Sequence, residues 1–461
     1  MGPMLAAGLR PSTTRGRIDR RRRRSGLALG LLALVLATAT LGPAPATAQT
    51  GAAPSAPAAA EPAPWWSGAT LLGDLGGLRP RLADLGITPT LTWVSDIQGN
   101  PIGGERRAVR EFENWAFEIA ADLGKRAGLP GAVVDVSASI RSGSSLSDEA
   151  IGNVFNVAQV CCGATYRLVD LYYEQALFGD RLNLRVGRQA AGDEFLASPL
   201  YGLFVNSAIN GNPSGVALNA PGMTTYPFAT WAARVRVRPT EASYVMGALM
   251  NGDASLADND KHGADFSMRG PLFVIVEAGY RLNQGEGARG LPGNYKVGAW
   301  YDDHRFTRFS SLGPDTPART TRGSAGAYLL VDQMVYREGD AGHLRSLTPF
   351  AALVLAPDSD VNPLPAFVNG GLVAQGLVPG RDDDRAVFGV VYGRFSNRLQ
   401  AAQRRTDSAP QDYELVLEGG YLVQVTPWLQ VEPDLQYLIN PGGTGRTPDA
   451  LVVGVQLSVT F

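Results

Sequence analysis

Apolar and polar residues alternate with a period of two along much of the chain beyond residue 87. Between residues 451 and 461 every odd-numbered position is apolar, whereas positions 454, 456, 458 and 460 are Gly, Gln, Ser and Thr. Residues 181–186 and 233–238 alternate in the same way, with Arg or Asn on the polar parity. Because successive side chains of a strand point to opposite faces, this period predicts β-strands with one apolar and one polar face.

Sixteen such segments can be counted. Their predicted cores are 88–97, 114–123, 131–141, 165–177, 181–189, 227–238, 242–251, 270–282, 293–302, 323–336, 347–356, 364–377, 384–396, 413–425, 428–440 and 450–461. An even number is typical of bacterial single-chain membrane barrels. The alternation is weakest in 364–377 and 384–396, where Gly and doubled Val residues interrupt it.

Alternation alone fits two architectures. A soluble β-sandwich turns its apolar faces inward, whereas a membrane barrel turns them toward lipid. Aromatic residues near strand ends, a Phe at position 461, and short connections that alternate with long ones favour the membrane barrel. The sequence therefore predicts an all-β fold, a 16-stranded antiparallel transmembrane β-barrel with short periplasmic turns, long outer loops and a constricting third loop.

The first 48 residues have the composition of an export signal. Eight arginines precede an uncharged stretch at 26–39, and Ala46-Thr47-Ala48 matches the small-x-small pattern of a signal-peptidase site. Removal of residues 1–48 changes the formal net charge from −2 to −9. A chain with this negative charge has no electrostatic reason to bind nucleic acid. We expect a cleaved signal peptide at 1–48, an Ala/Pro-rich linker at 49–64, a periplasmic segment at 65–87 and the barrel at 88–461, in the outer membrane of a Gram-negative bacterium.

The longest connection, 190–226, is the candidate for the narrowest part of the pore. A long stretch without regular structure is usually either functional or disordered, and strand parity points charged and aromatic side chains inward near its roots. Arg and carboxylate groups can hydrogen-bond vicinal hydroxyls, although the same groups could merely hydrate the lumen and pair with one another. The predicted constriction residues are Arg185, Arg234, Arg236, Asp193, Glu194, Glu118, Trp300, Tyr172, Glu432 and Asp434.

The sequence offers little for catalysis or metal binding. His262, His304 and His343 are not spaced with a nucleophile, and the adjacent Cys161 and Cys162 could form a vicinal disulfide or stay free. No zinc, phosphate-loop or serine-elbow motif is present. We therefore expect no catalytic residues, no cofactor and no metal.

Five segments follow one another along the chain: GDLGGLRPRLADLGI at 73–87, FGDRLNLRVGRQAAGDEF at 178–195, LPGNYKVGAWYDD at 291–303, GLVPGRDDD at 376–384 and VEPDLQYLINPGG at 431–443. As an ordered set they resemble the carbohydrate-selective porins of the OprB type. The resemblance implies a sixteen-stranded outer-membrane pore that passes glucose and related sugars down their gradient. It also implies that inward Arg and Glu residues form the narrowest part.

Pattern and resemblance together predict a porin for the passive diffusion of carbohydrates. The expected partners are small sugars, outer-membrane lipids and the barrel-assembly machinery, which would recognise the terminal Phe461; association with further copies of the chain is left open. One alternative is a general diffusion porin for small polar solutes and ions. A less favoured alternative is an outer-membrane hydrolase built on a barrel, which would need a nucleophile beside a base.

Overall fold

A computed structural model describes residues 65–160, 165–285, 287–314, 317–339 and 344–461. Its strands form one antiparallel sheet that closes on itself, because β1 pairs with both β2 and β17. The strands are β1 Ile87–Ile102, β2 Val109–Asp122, β3 Ala132–Gly143, β4 Thr165–Leu177, β5 Leu182–Gln189, β6 Thr230–Val237, β7 Ser243–Asn251, β8 Leu272–Leu282, β9 Gly293–Thr307, β10 Thr320–Gln333, β11 Tyr336–Glu338, β12 Arg345–Leu355, β13 Ala366–Gln375, β14 Arg385–Arg394, β15 Tyr413–Thr426, β16 Leu429–Ile439 and β17 Ala450–Thr460.

The short strand β11 continues β10 rather than adding a new position to the barrel. Both strands pair with β12, and Val335, which lies between them, donates its backbone N–H to Leu347 O at 2.9 Å. The described residues therefore form sixteen strand positions, and the predicted 16-stranded antiparallel barrel is confirmed. The predicted signal peptide and linker at 1–64, and also Cys161, Cys162 and His343, lie outside the described residues.

The connections at the two ends of the barrel differ. At one end lie eight loops, named here L1 to L8, whose described residues are 103–108, 144–160, 190–229, 252–271, 308–314 with 317–319, 356–365, 395–412 and 440–449. The other end holds the shortest connections, 178–181 and 427–428. The helices are α1 Leu78–Asp84 before β1, α2 Leu123–Ala127 between β2 and β3, α3 Ser214–Ala217 in L3 and α4 Asn397–Arg405 in L7. In the described part of the chain, no helix is long and apolar enough to cross a membrane.

The outer surface of the barrel carries the apolar parity. Val235, Val276 and Phe388 each expose about half of their surface, at 46%, 47% and 51%, whereas the inward Arg234 and Ile275 are buried. Tyrosines near strand ends are also exposed on this surface, namely Tyr280, Tyr295, Tyr301 and Tyr437. A folded chain that keeps an apolar band and tyrosines on its outside is suited to a lipid environment.

The main hydrophobic core lies inside the barrel, where L2 and L3 pack chiefly on the inner faces of β7 to β16. Phe204 of L3 meets Phe350 of β12 edge to face at 5.3 Å, and Phe155 of L2 meets Phe367 of β13 in the same way at 5.5 Å. Gly389 of β14 makes room for L3, because a Cβ there would lie 2.5 Å from Ile209 Cδ1. We call the inner face of β7–β16 the covered wall and that of β1–β6 the open wall.

Single carboxylates on the covered wall anchor the loops by accepting backbone N–H groups. Glu277 of β8 accepts from Leu196 N at 3.0 Å and from the hydroxyls of Tyr244 and Tyr328 at 2.6 and 2.9 Å. Further anchors are Glu418, which accepts from Val205 N and Asn206 N, Asp302, which accepts from Gly222 N, and Glu414, which accepts from Val154 N and Phe155 N. A hydrogen bond contributes about 0.5–1.5 kcal/mol net and about 1.5–3 kcal/mol when one partner is charged, so these contacts together hold L2 and L3 inside the barrel.

Candidate pore site

Three charged side chains form a row across neighbouring strands of the open wall. The register sets Glu174 of β4 opposite Arg185 of β5, and Arg185 opposite Arg234 of β6. Arg185 Nε donates to Glu174 Oε2 at 2.6 Å, and Arg234 Nη2 donates to the same oxygen at 3.1 Å. A shared carboxylate therefore holds two guanidinium groups that would otherwise repel each other.

The root of L3 adds a second carboxylate to this row. Glu194 accepts from Arg234 Nε at 2.6 Å and from Arg234 Nη2 at 2.8 Å, which is a two-point contact. Arg234 Nη1 donates to Asn183 Oδ1 at 2.5 Å, and the Arg234 side chain has no exposed surface. Because every nitrogen of this guanidinium has an acceptor, Arg234 fixes the position of the L3 root against the open wall.

The remaining arginines extend the cluster toward the end of the barrel that carries the short turns. Arg236 Nη2 lies 3.5 Å from Asp180 Oδ1, and Arg238 Nη1 donates to Asp180 Oδ2 at 2.8 Å. Desolvation of Asp180, in the turn between β4 and β5, acts to raise its pKa. The hydrogen bonds from Arg238 and Asn183 outweigh that effect and hold the pKa below its ordinary value.

Two cavities lie on either side of the L3 root, and Asp193 and Glu194 line both. One, of about 380 Å³, lies against the open wall and is lined among others by Glu118, Asp135, Asp170, Tyr172 and Arg185. The other, of about 460 Å³, lies toward the short turns and is lined among others by Asp180, Arg236, Arg238, Arg281 and Lys296. Both volumes fall in the usual range for small-molecule sites, about 300–1,000 Å³. We call the first the upper chamber and the second the lower chamber.

An aromatic ring supports Arg185 on the side of the upper chamber. The guanidinium carbon of Arg185 lies 4.0 Å from the centroid of the Tyr172 ring, which is cation–π geometry. With Glu174 as its hydrogen-bond partner, the planar group is held flat and has little rotational freedom. It is therefore preorganised to donate to a solute that enters the chamber.

Seven of the ten predicted constriction residues come together at this place. Five of them are Arg185, Arg234, Asp193, Glu194 and Tyr172, around the L3 root. The other two are Glu118 in the upper chamber and Arg236 in the lower one. Their function as a constriction stays a prediction.

The other three predicted residues point inward but are covered. Trp300 is 3% exposed and packs beside Tyr328 at 6.5 Å between ring centroids, so its ring presents no free face to a solute. Glu432 and Asp434 of β16 are 2% and 4% exposed, and Gln436 Nε2 donates to Asp434 Oδ1 at 2.8 Å. Parity predicted their direction correctly, but the loops inside the barrel separate them from both chambers.

Asp180, Asn183 and Lys296 belong to the site but were not among the predicted residues. Asn183 shares the inward parity of Arg185, and Asp180 lies in the turn that leads into the same strand, so both had a signal in the pattern. Lys296 donates to Ala197 O of L3 at 2.6 Å, a contact that only the path of the loop reveals. Within the described residues, no three His, Cys, Asp or Glu side chains are grouped as a metal site.

Comparisons with known proteins agree on one family. The family described as "Carbohydrate-selective porin, OprB family" matches residues 106–461. Porin B of Pseudomonas aeruginosa is 28% identical over 423 residues, which cover 85% of this chain and 91% of that protein. A putative porin, QuiX, of Acinetobacter baylyi is 22% identical over 418 residues, covering 85% and 93%. The high-pH structure of Pseudomonas putida OprB superimposes with a TM-score of 0.80 at 25% identity, over 86% of this chain and all of that one.

Proposed function

Because the chain belongs to the OprB family of carbohydrate-selective porins, we propose that it lets glucose and related sugars diffuse passively through the outer membrane of a Gram-negative bacterium. The observation that carries the proposal is the L3 root, where Glu194 binds Arg234 beside a polar chamber of about 380 Å³. In this arrangement L1 to L8 face the exterior and the short turns face the periplasm. Family and fold indicate a channel rather than an enzyme.

The chamber offers both partners that a hydroxyl group needs. Arg185 donates, the carboxylates of Glu118 and Asp193 accept, and a sugar hydroxyl can do both. Each such contact replaces a hydrogen bond to water, so its net contribution is only about 0.5–1.5 kcal/mol. Weak binding of this kind suits transport, because a solute must enter the chamber and also leave it. No energy source is required.

Single-channel currents in planar bilayers test this function. Glucose and maltose should interrupt the current, whereas a non-sugar of equal size should not. Arg185→Ala should weaken the block, because it removes the donor that faces the chamber. Arg398→Ala, an exposed residue on α4, serves as the matched control. Equal block by the sugar and the non-sugar would favour the general diffusion porin instead.

Export and assembly are a second part of the proposal. We infer that residues 1–48 are removed during export and that Phe461 is recognised by the barrel-assembly machinery. In the folded chain Phe461 N donates to Leu91 O at 2.9 Å, and its ring stacks on Trp115 at 5.5 Å. Deletion of Phe461 should lower the amount of protein in the outer membrane. Arg79→Ala removes only the donor to Phe461 O, so assembly reduced equally by both variants would contradict a recognition role.

Lipids are the remaining proposed partner. Tyr280 and Tyr295 lie on the outside of neighbouring strands that pair with each other, and both are exposed. Their rings are amphipathic and suit the boundary between the hydrocarbon and the headgroups.

A further inference from the structure

Exposed arginines lie on the outside of the barrel, at the ends of β9 and β10 that meet L5. The register sets Arg305 of β9 directly opposite Arg322 of β10, and both residues are exposed. We call these two residues the arginine pair. Residues 303–314 and 317–322 hold four arginines but only one aspartate and no glutamate. Like charges directly opposite each other on a sheet are destabilising, so a bound anion relieves a cost that the fold otherwise bears.

The chain itself neutralises only part of this charge. Arg322 Nε donates to Asp303 Oδ1 at 2.7 Å, and Arg322 Nη2 donates to Asp303 Oδ2. In the part of the chain that the structure describes, Arg305 has no ion-pair partner. Thr307 and Thr320, which are also exposed and directly opposite each other, lie next to the arginine pair on the L5 side and add two hydroxyl donors. The surface therefore keeps a net positive charge and presents mainly donors.

The position of the arginine pair along β9 matches the edge of the hydrocarbon. Ten residues separate Arg305 from Tyr295, an exposed tyrosine near the other end of the strand. A strand rises about 3.4 Å per residue, so at a tilt of about 45° ten residues span roughly 24 Å along the membrane normal. The apolar band of an outer-membrane barrel is about 25 Å tall. With Tyr295 at one boundary of this band, Arg305 lies at the other, beside the lipid headgroups.

We propose that the arginine pair binds a phosphate group on the headgroup of a lipid in the outer leaflet. This inference rests on the proposed function, which places L5 on the outer side of the membrane. A guanidinium presents parallel N–H donors that match two phosphate oxygens, and a phosphate monoester carries a charge of about −1.5 to −2 at neutral pH. Val297 and Tyr301 are exposed on the same outer face between Tyr295 and Arg305, where the acyl chains of that lipid can pack.

A second copy of the chain fits this surface less well. Outward carboxylates that could pair with it lie on β2, where Glu111 and Glu113 share the parity of the exposed Ile119. Strand β2 is seven positions from β9 in the ring of sixteen, which is almost the opposite side of the barrel. Complementary surfaces on opposite sides would join copies into an open row and not into a closed oligomer. A lipid requires only the one surface.

Native mass spectrometry of the purified protein in a neutral detergent tests the proposal, because it counts both the bound lipids and the copies of the chain. The probes are lipid A, an acylated disaccharide that carries phosphate groups, the same lipid after removal of its phosphates, and inorganic phosphate. The unmodified protein should bind phosphorylated lipid A roughly tenfold more tightly than the dephosphorylated form. Inorganic phosphate at the same concentration should not displace the lipid. Displacement would assign the surface to free phosphate and overturn the proposal.

Variants identify the groups responsible. The double variant Arg305→Gln, Arg322→Gln should remove most of the tenfold preference for the phosphorylated lipid. Arg305→Gln alone leaves the contact between Arg322 and Asp303 intact, so it makes little demand on folding and should weaken binding by a few-fold. Arg394→Gln is the matched control, since this exposed arginine lies at the loop end of β14 and should leave binding unchanged.

Two results with these variants would overturn the proposal. One is equal loss of lipid in Arg394→Gln and in the double variant, which would indicate attraction to positive charge in general. The other is a double variant that keeps its lipid, and if that variant also loses a dimer, the surface belongs to a second copy of the chain.

Glucose flux into liposomes separates this inference from the function on which it rests. The double variant should pass glucose as fast as the unmodified protein, because the arginine pair lies outside the barrel. If glucose does not pass through the unmodified protein, the carbohydrate pore itself is refuted. If glucose passes but lipid binding does not depend on the arginine pair, only the lipid site is refuted.

Discussion

The covered wall and the open wall use inward carboxylates differently, as Glu277 and Asp170 illustrate. On the covered wall, both oxygens of Glu277 accept hydrogen bonds, and the side chain holds L3 in position. On the open wall, Asp170 lines the upper chamber and accepts from Ser137 Oγ of the neighbouring strand at 2.6 Å. The two residues share an inward direction and nearly complete burial. An inward direction in a barrel therefore does not show whether a carboxylate holds a loop or lines a chamber, because the path of the loops decides that.

Of the changes that test the difference between the two walls, shortening L3 should have the largest effect, and it should appear in the single-channel conductance. Replacing residues 196–222 by a short Gly/Ser linker removes the cover from the covered wall and leaves the L3 root in place. Since a sixteen-stranded barrel is wide enough for an aqueous channel, we expect single-channel conductance to rise by roughly a factor of two or more. Circular dichroism should show that the strands remain. Unchanged conductance in a folded variant would mean that L3 does not limit the pore.

Breaking one anchor should have an intermediate effect. Glu277→Gln replaces an oxygen that accepts from Leu196 N, Tyr244 or Tyr328 by a donor, which opposes at least one of these bonds. The cost should be about 1.5–3 kcal/mol, seen as a lower urea midpoint and as added noise in the open-channel current. Glu111→Gln, an exposed carboxylate of β2, is the control. Equal stability of the two variants would contradict an anchoring role.

The smallest effect is expected from a substitution on the open wall, and it should appear in the block of the current by sugar. Tyr172→Leu removes the ring under Arg185, and this contact is worth about 0.5–2 kcal/mol. The guanidinium should then become less ordered, and the sugar block of the current should weaken by a few-fold at most. Tyr172→Phe keeps the ring and should behave as the unmodified protein. A loss of block in the Phe variant would show that the hydroxyl, and not the ring, contributes.

The strands and the inward direction of the arginines could be predicted because both depend on local information. A period of two reports which face a residue occupies, so it places both Arg185 and Arg234 on the inner face, and the short turn 178–181 sets the register that brings Glu174 opposite Arg185. Even the weakly alternating segment 364–377 contains a strand, β13. The face that a strand residue occupies can be read from its neighbours along the chain.

The cover over one wall could not be predicted, because it depends on the path of L3. Parity assigns the same inward direction to Trp300 and Arg185, but only the first lies in the core beneath the loops. A signal was present in β8, where both the inward Phe273 and Ile275 and the outward Val274 and Val276 are apolar. A barrel strand that is apolar on both faces indicates that something other than water lies inside. It does not reveal which loop that is.

The pairing of β1 with β17, which we call the seam, has a consequence for the folding of the barrel. Gln456 Nε2 donates to Asp96 Oδ1 across this seam, and the two residues are 360 positions apart. Until β17 pairs with it, β1 has an edge of unpaired backbone N–H and C=O groups, which another extended chain could join. Contacts so distant along the chain form slowly. A molecule in which β1 and β17 have not yet met is therefore open to wrong pairing along that edge, and closure of the barrel removes the edge.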